Sequence, residues 1–369
     1  MRVEFLTDQM RLLILTAFIT VTFFACRKDQ DTLPVSTDDF PLVDSLWTVG
    51  ISDIKDGNVG KNGIKAIDEP EFVGAASADF ITDEELVLGI YYKGKARAYP
   101  VKILNYHEVV NDQMEDFAFT ISYSVLTGTG VIFPAQLDTL DATFSVSGLL
   151  YKSNLLLYDR SSESVWSQML REAVSGPASG AKASFYPLFQ TSWKTWKAWF
   201  PDTQIMSPSA LVMPDYDVYP YGNYDVNNDS LLFGVTSRLQ LIPNKERILG
   251  IQTNGNGSYM RSRIFGQLNS YVTQDVGGQE VLVFGSEKDN YMMAYYTETE
   301  EGAEITIKSS LVGQEKGGLF TDTEGNKWDI NGKAYEGPKK GAQLKIPVNY
   351  VGYAFAWAAF YPDFFLNEQ

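Results

Sequence analysis

His107, in the segment ILNYHEVVND (residues 103–112), is the only histidine in 369 residues. Imidazole is the side chain whose ordinary pKa lies nearest neutrality, so its chemistry here would be proton transfer or metal ligation. One histidine makes no strong metal site without carboxylate help. Three readings of His107 stand side by side: a packed ring bonded to a backbone carbonyl, a ligand-binding group, or a catalytic or metal-binding group. Glu108 adjoins it in the chain, but adjacent side chains diverge, which makes it a poor orienting acid. Cys26 is likewise the only cysteine. Once acylated, it would leave the mature chain with no free thiol and no disulfide, excluding thiol redox catalysis, cysteine-ligated zinc and iron-sulfur clusters. Asp225, Asn227 and Asp229 are spaced like the first ligands of a calcium loop. No glycine follows and no terminal glutamate stands at the required distance, so neither calcium nor any other cofactor is expected.

The segment around Cys26 looks like an export signal. Arg11 precedes an apolar run from Leu12 to Ala25, short for a membrane span and right for a signal-peptide core. The run ends in FFAC, the pattern of a lipobox, where cleavage precedes a cysteine that then takes a lipid. Met10 opens a second, more conventional signal, so two start positions fit. Residues 1–25 read as a signal peptide and 26–62 as a lipid-anchored tether and lead-in. The CRKDQD that opens the tether resembles the short Lys- and Asp-rich signals that send lipoproteins to the outer face of the outer membrane. The expected location is the cell envelope, anchored to outer-membrane lipid through Cys26 and periplasmic or surface-exposed. A net charge of -16 disfavours nucleic acid, which calls for clustered Lys and Arg.

An internal repeat organises the rest. ELVLGIYYKG (85–94) aligns with ERILGIQTNG (246–255), GPASGA (176–181) with GPKKGA (337–342), and Trp196 with its following FPD aligns with Trp357 and YPD, each pair 161 positions apart. Three separated matches at one offset point to two homologous halves. The expected fold is mainly β (α+β), with two tandem β-rich repeats each closed by one short helix. Repeat 1 is placed at 63–205, a Tyr/Pro/Gly/Asn-rich connector at 206–240 and a degenerate repeat 2 at 241–369. FAFTISYSV puts Phe117, Phe119, Ile121, Tyr123 and Val125 on one face of a half-buried strand. TSWKTWKAWFPD predicts a helix capped by Thr191 or Ser192 and stopped by Pro201, with Trp193, Trp196 and Phe200 on one core-facing stripe. Tyr353, Trp357 and Phe360 repeat that stripe. The connector is expected to be an ordered surface loop.

The segments GIKAIDEPEF (63–72), ARAYPVKILNYHEVVND (96–112), VSGLLYKSNLLLYDRSSESVWSQ (146–168), PDT (201–203) and KERILGI (245–251) resemble those of the DUF3179 family, from about Gly63 to about Gly255. In that family the strand after the histidine segment commonly carries a C-x-x-C, with selenocysteine in some members. The resemblance implies thiol or selenol redox work or a soft-metal site in such relatives. Here Ser124 and Thr127 stand where the two cysteines would fall, so that chemistry is expected to be absent. A hydrolytic pair of Ser124 with His107 lacks an orienting acid and a nucleophile elbow. The second half offers Leu268, Gly285 and Lys288 opposite His107, Ser124 and Thr127, so any site belongs to the first half. The residues expected to converge on one cleft are Asn105, His107, Tyr123, Ser124, Thr127, Asp159, Arg160, Trp166 and Gln168. For Asp159 and Arg160 the alternative is a surface pair in a hairpin. The favoured function is an envelope lipoprotein that binds an unknown ligand or protein partner, with catalysis disfavoured. An oxidoreductase-related or metal-binding protein using His107, and a structural envelope accessory protein, are the alternatives.

Overall fold

Alternation of buried and exposed positions, the ordinary mark of a surface strand, is missing where the sequence most invited it. The strand Phe117–Ser124 is buried on both faces from Phe119 onward. Its apolar face joins Ile121 and Tyr123 to the core. Its other face, Thr120, Ser122 and Ser124, is buried as well, so the expectation of a half-buried strand is corrected. The computed structural model describes residues 39–137, 140–208, 214–239, 242–266 and 270–367. The signal segment, Cys26 and the start of the tether lie outside the described residues, as does Leu268. Among those described, no helix is long and apolar enough to cross a membrane.

The fold is mainly β, with three α-helices of seven residues each among the described residues: α1 (Val101–His107), α2 (Trp193–Trp199) and α3 (Ala354–Phe360). One sheet runs in the order Phe189–Ser192, Leu86–Tyr92, Lys95–Pro100, Gln204–Met206, Phe72–Gly74. A second runs Val348–Tyr353, Arg247–Thr253, Asn256–Arg261, Phe365–Asn367. The first four strands of one and the four of the other follow the same order, and in each the last of the four pairs parallel with its neighbour. α2 and α3 each lead from the outer strand toward that parallel strand. A three-stranded meander follows each hairpin, at 109–134 and at 270–296. Each meander is followed by an antiparallel set, Phe144–Ser175 with Ile54–Asp56 on its edge, and Ile307–Glu336.

The tryptophan helices dock through glycines. A Cβ at Gly89 would come within 2.4 Å of the Trp196 ring, and one at Gly250 within 2.3 Å of Trp357. Only a bare backbone lets an indole lie flat on the strand. Ser192 caps α2, its Oγ accepting from the Thr195 amide at 3.2 Å, and the helix ends at Trp199, before Pro201. Trp193, Trp196, Trp199 and Phe200 are all buried and share one cluster with Leu282, Tyr291 and Trp328 of the second half. The two halves thus bury apolar surface against each other.

Where the connector meets the second half, Lys245 reaches back into the loop that carries the calcium-like spacing, for which no metal was expected. Its ammonium donates to the carbonyls of Tyr224, Asn227 (2.6 Å) and Ser230 (2.7 Å) and lies 3.4 Å above the Tyr224 ring. The Tyr224 hydroxyl in turn donates to Leu126 O at 2.8 Å. A side-chain cation therefore organises the loop around Asp225, Asn227 and Asp229.

Candidate functional site

The placement of His107 follows from the end of α1. The helix buries Val101, Ile103 and Leu104 and stops because Glu108 turns left-handed, with φ +56°, a costly conformation for a branched-free but bulky residue. The His107 Nδ1 lies 2.8 Å from Lys65 O. A carbonyl only accepts, so Nδ1 carries the proton and Nε2 accepts from the Tyr216 hydroxyl at 2.7 Å. Burial lowers the ring's pKa, opposed in part by the Lys65 carbonyl. The imidazole is thus a neutral, doubly engaged group that pins the connector to the first half. A cleft of about 310 Å³ beside it is lined by Lys65, Asp68, Glu71, His107, Ser207 and Tyr216 among others.

The two positions that resemble the family's cysteines are sealed. Ser124 is 2 % exposed and Thr127 0 %. The Ser124 Oγ accepts from the Leu155 amide at 3.3 Å. Thr127 Oγ1 sits 2.8 Å from Thr129 Oγ1 and accepts from Asn154 Nδ2 at 2.9 Å. Gln168 is the hub: its Oε1 accepts from Thr129 at 2.6 Å and Asn154 at 2.7 Å, while its Nε2 donates to Ser122 Oγ and Thr129 O, both at 3.1 Å. This network joins the polar face of the Phe117–Ser124 strand and its neighbour to the sheet carrying Asn154 and Gln168. Buried polar groups survive only when paired, and here they satisfy one another. No hydrogen bond links His107 to Ser124 or Thr127 among the described residues.

The other candidates lie elsewhere. Asp159 is fully buried and does not pair with Arg160. Its Oδ2 accepts from the Trp166 indole at 2.9 Å and from Ser162 Oγ at 2.7 Å, and its Oδ1 accepts from the Ser162 amide. The second half repeats this brace, with Trp328 donating to Asp322 at 3.0 Å, which marks it as a means of closing a hairpin. Arg160 reaches Asp68 at 2.9 Å and Ser145 at 2.7 Å, which corrects the surface-pair expectation. Tyr123 is buried, and that burial pushes its hydroxyl well above the ordinary tyrosine range, with Tyr353 adding to the shift and the Arg247 guanidinium opposing it. Asn105 is half-buried on α1 and makes no side-chain hydrogen bond among the described residues. The nine candidates therefore form one network (Ser124, Thr127 and Gln168 with their neighbours), one brace and several separate contacts, not one cleft.

A larger cleft of about 860 Å³ opens between the halves. Tyr91, Tyr92 and Tyr186 of the first half face Asp329, Asn331 and Tyr335 of the second across it. Asn331 donates through Nδ2 to Tyr91 O and, at 3.3 Å, to the Tyr186 hydroxyl, while its Oδ1 is buried without a partner among the described residues. Burial pushes the Asp329 carboxyl up to about 6, although the Lys333 and Asn331 amides oppose the shift. Among the described residues no group of three or more His, Cys, Asp or Glu is disposed to hold a metal ion.

Sequence reasoning missed Thr129 and Asn154, which carry the network, and Tyr216, which completes the His107 contact from over a hundred residues away. It missed the inter-half cleft because its lining comes from segments that gain meaning only when the halves meet. The family model described as "Protein of unknown function (DUF3179)" matches residues 61–364, more than four fifths of the chain. The match runs past the Gly255 limit and takes in both halves. No curated protein and no solved structure matches the chain.

Proposed function

The chain belongs to the DUF3179 family, and on that premise we propose that it is a lipid-anchored envelope protein that binds a ligand or partner and has lost its relatives' thiol or metal chemistry. The observation that carries this reading is the sealed network at Ser124 and Thr127. A hydroxyl buried to 0 % exposure and spent on Asn154 and Thr129 offers no reacting atom and no soft-metal ligand. Support for binding comes from the open, aromatic cleft between the halves, within the ~300–1,000 Å³ range of small-molecule sites. Neither ring nitrogen of His107 is left free, which speaks against the metal-binding alternative.

Two outcomes are expected. Protein purified without chelator should hold less than stoichiometric transition metal by elemental analysis, and His107→Ala should not change that content. A stoichiometric metal lost in His107→Ala would overturn the reading. For the anchor, palmitate labelling should be present in the wild type and absent in Cys26→Ser, which should also leave the membrane fraction. Unchanged labelling of that variant sinks the lipoprotein assignment.

A further inference from the structure

The lining of the inter-half cleft specifies a kind of ligand. Two of its aromatic rings are held in place before anything binds. Tyr91 stacks on Phe200, with centroids 4.9 Å apart. Tyr186 packs on Phe117 at 4.9 Å and donates to Tyr91 O at 2.8 Å. Tyr335, across the cleft, is tied through its hydroxyl to Glu315 at 2.7 Å. Fixed rings offer apolar faces at little cost in conformational freedom.

The polar groups between the rings are short of donors. Asp329 Oδ1 is taken by the amides of Asn331 and Lys333, at 2.9 and 3.0 Å, while its Oδ2 accepts nothing among the described residues. Asn331 Oδ1 has no partner among the described residues but is buried behind the lining, beyond a ligand's reach. Gln343 spends its Nε2 on Asn331 O at 2.7 Å and on Leu344 O, leaving Oε1 without a donor among the described residues. Asp329 Oδ2 and Gln343 Oε1, on residues that line the cleft, thus have no protein donor among the described residues and are open to donors from a ligand. Asp329 and Glu300 stand along the cleft with Lys93 and Lys333, and Lys93 is already paired with Asp116 at 2.7 Å, so the wall carries no excess of positive charge. A strongly anionic ligand gains nothing from such a wall.

We infer that this cleft binds a neutral, polyhydroxylated ligand, a short oligosaccharide whose apolar ring faces lie on the tyrosines and whose hydroxyls donate to Asp329 and Gln343. The inference rests on the binding-protein reading above and names its ligand class.

The full chain would be titrated by calorimetry with three kinds of probe: neutral oligosaccharides (glucose, mannose, xylose and N-acetylglucosamine oligomers), an uncharged peptide, and a polyamine. Tyr335→Ala and Asp329→Asn, each checked for a wild-type melting transition, would be titrated alongside. The second variant keeps the side-chain volume. The expected result is binding of at least one oligosaccharide, weakened about tenfold in each variant. An oligosaccharide that binds equally well to both variants overturns the assignment to this cleft. Binding of only the peptide or the polyamine, weakened by the variants, overturns the ligand class and leaves the binding-protein reading standing. No binding of any probe at millimolar concentration overturns both.

Discussion

Gln168→Ala is expected to lower the unfolding free energy by about 3–5 kcal/mol, a larger loss than most point substitutions cause. Two costs add. Truncating a fully buried side chain leaves a cavity that the neighbours fill only in part. It also strips the hydrogen bonds of Thr129, Asn154 and Ser122, which are all buried. Each unmet group costs about 1–3 kcal/mol. Gln168→Glu would be a milder change in shape but would force a charge among buried hydroxyls, so it too should destabilise. Urea titration of the full chain checks both. A loss below ~1 kcal/mol for Gln168→Ala would mean that the network contributes little and that water or repacking replaces it.

Glu108→Gln is expected to flatten the alkaline side of the stability profile. The Glu108 carboxyl is buried, takes no side-chain hydrogen bond among the described residues, and is pushed up to about 8 by burial from an ordinary 4.5. Between those two values the folded chain holds a proton that the unfolded chain has released. Its stabilising contribution is therefore complete below 4.5 and is lost as pH rises through 8. The wild type should lose on the order of 4 kcal/mol more than Glu108→Gln between pH 5 and 9, with roughly a third of it above pH 7. His107 acts with the opposite sign. Its folded value is lowered from 6.5, so stability is lost as pH falls below 6.5, and above pH 7 the ring is neutral in both states. Parallel slopes for wild type and Glu108→Gln above pH 7 would show that the carboxyl is solvated.

Much of this architecture was legible because it is periodic. The aromatic stripe at 193, 196 and 200 predicted a helix facing the core, and α2 buries it. The 161-residue offset joins segments that occupy the same places in two sheets of the same order, with α2 and α3 exactly one offset apart. The candidate site was less legible, for three physical reasons. A strand with serine and threonine on one face reads as half-exposed, and nothing local reveals that Asn154 and Gln168 cover that face. A hairpin carrying Asp-Arg reads as a surface ion pair, whereas the aspartate turns inward to an indole seven positions on. A bulky residue at positive φ, such as Glu108, follows no composition rule, so its desolvated carboxyl could not be anticipated. His107 was read with a carbonyl partner as one of its three options, and Lys65 supplies it; the tyrosine on its other nitrogen comes from the connector.

The central claim is that the turn from Ser124 to Thr127 keeps the shape of a thiol site whose chemistry is gone. The Thr127 amide donates to Ser124 O at 3.3 Å, which closes a turn whose ends lie within the less than ~7 Å span of a β-turn, a reach that two cysteines can bridge. The most direct measurement is the thiol state of the double variant Ser124→Cys/Thr127→Cys after mild oxidation, read by mass spectrometry with alkylation under denaturing conditions. The account predicts a folded protein that forms one internal disulfide, lighter by two hydrogens and resistant to alkylation until reduced. A folded protein with two separately alkylated thiols would contradict it.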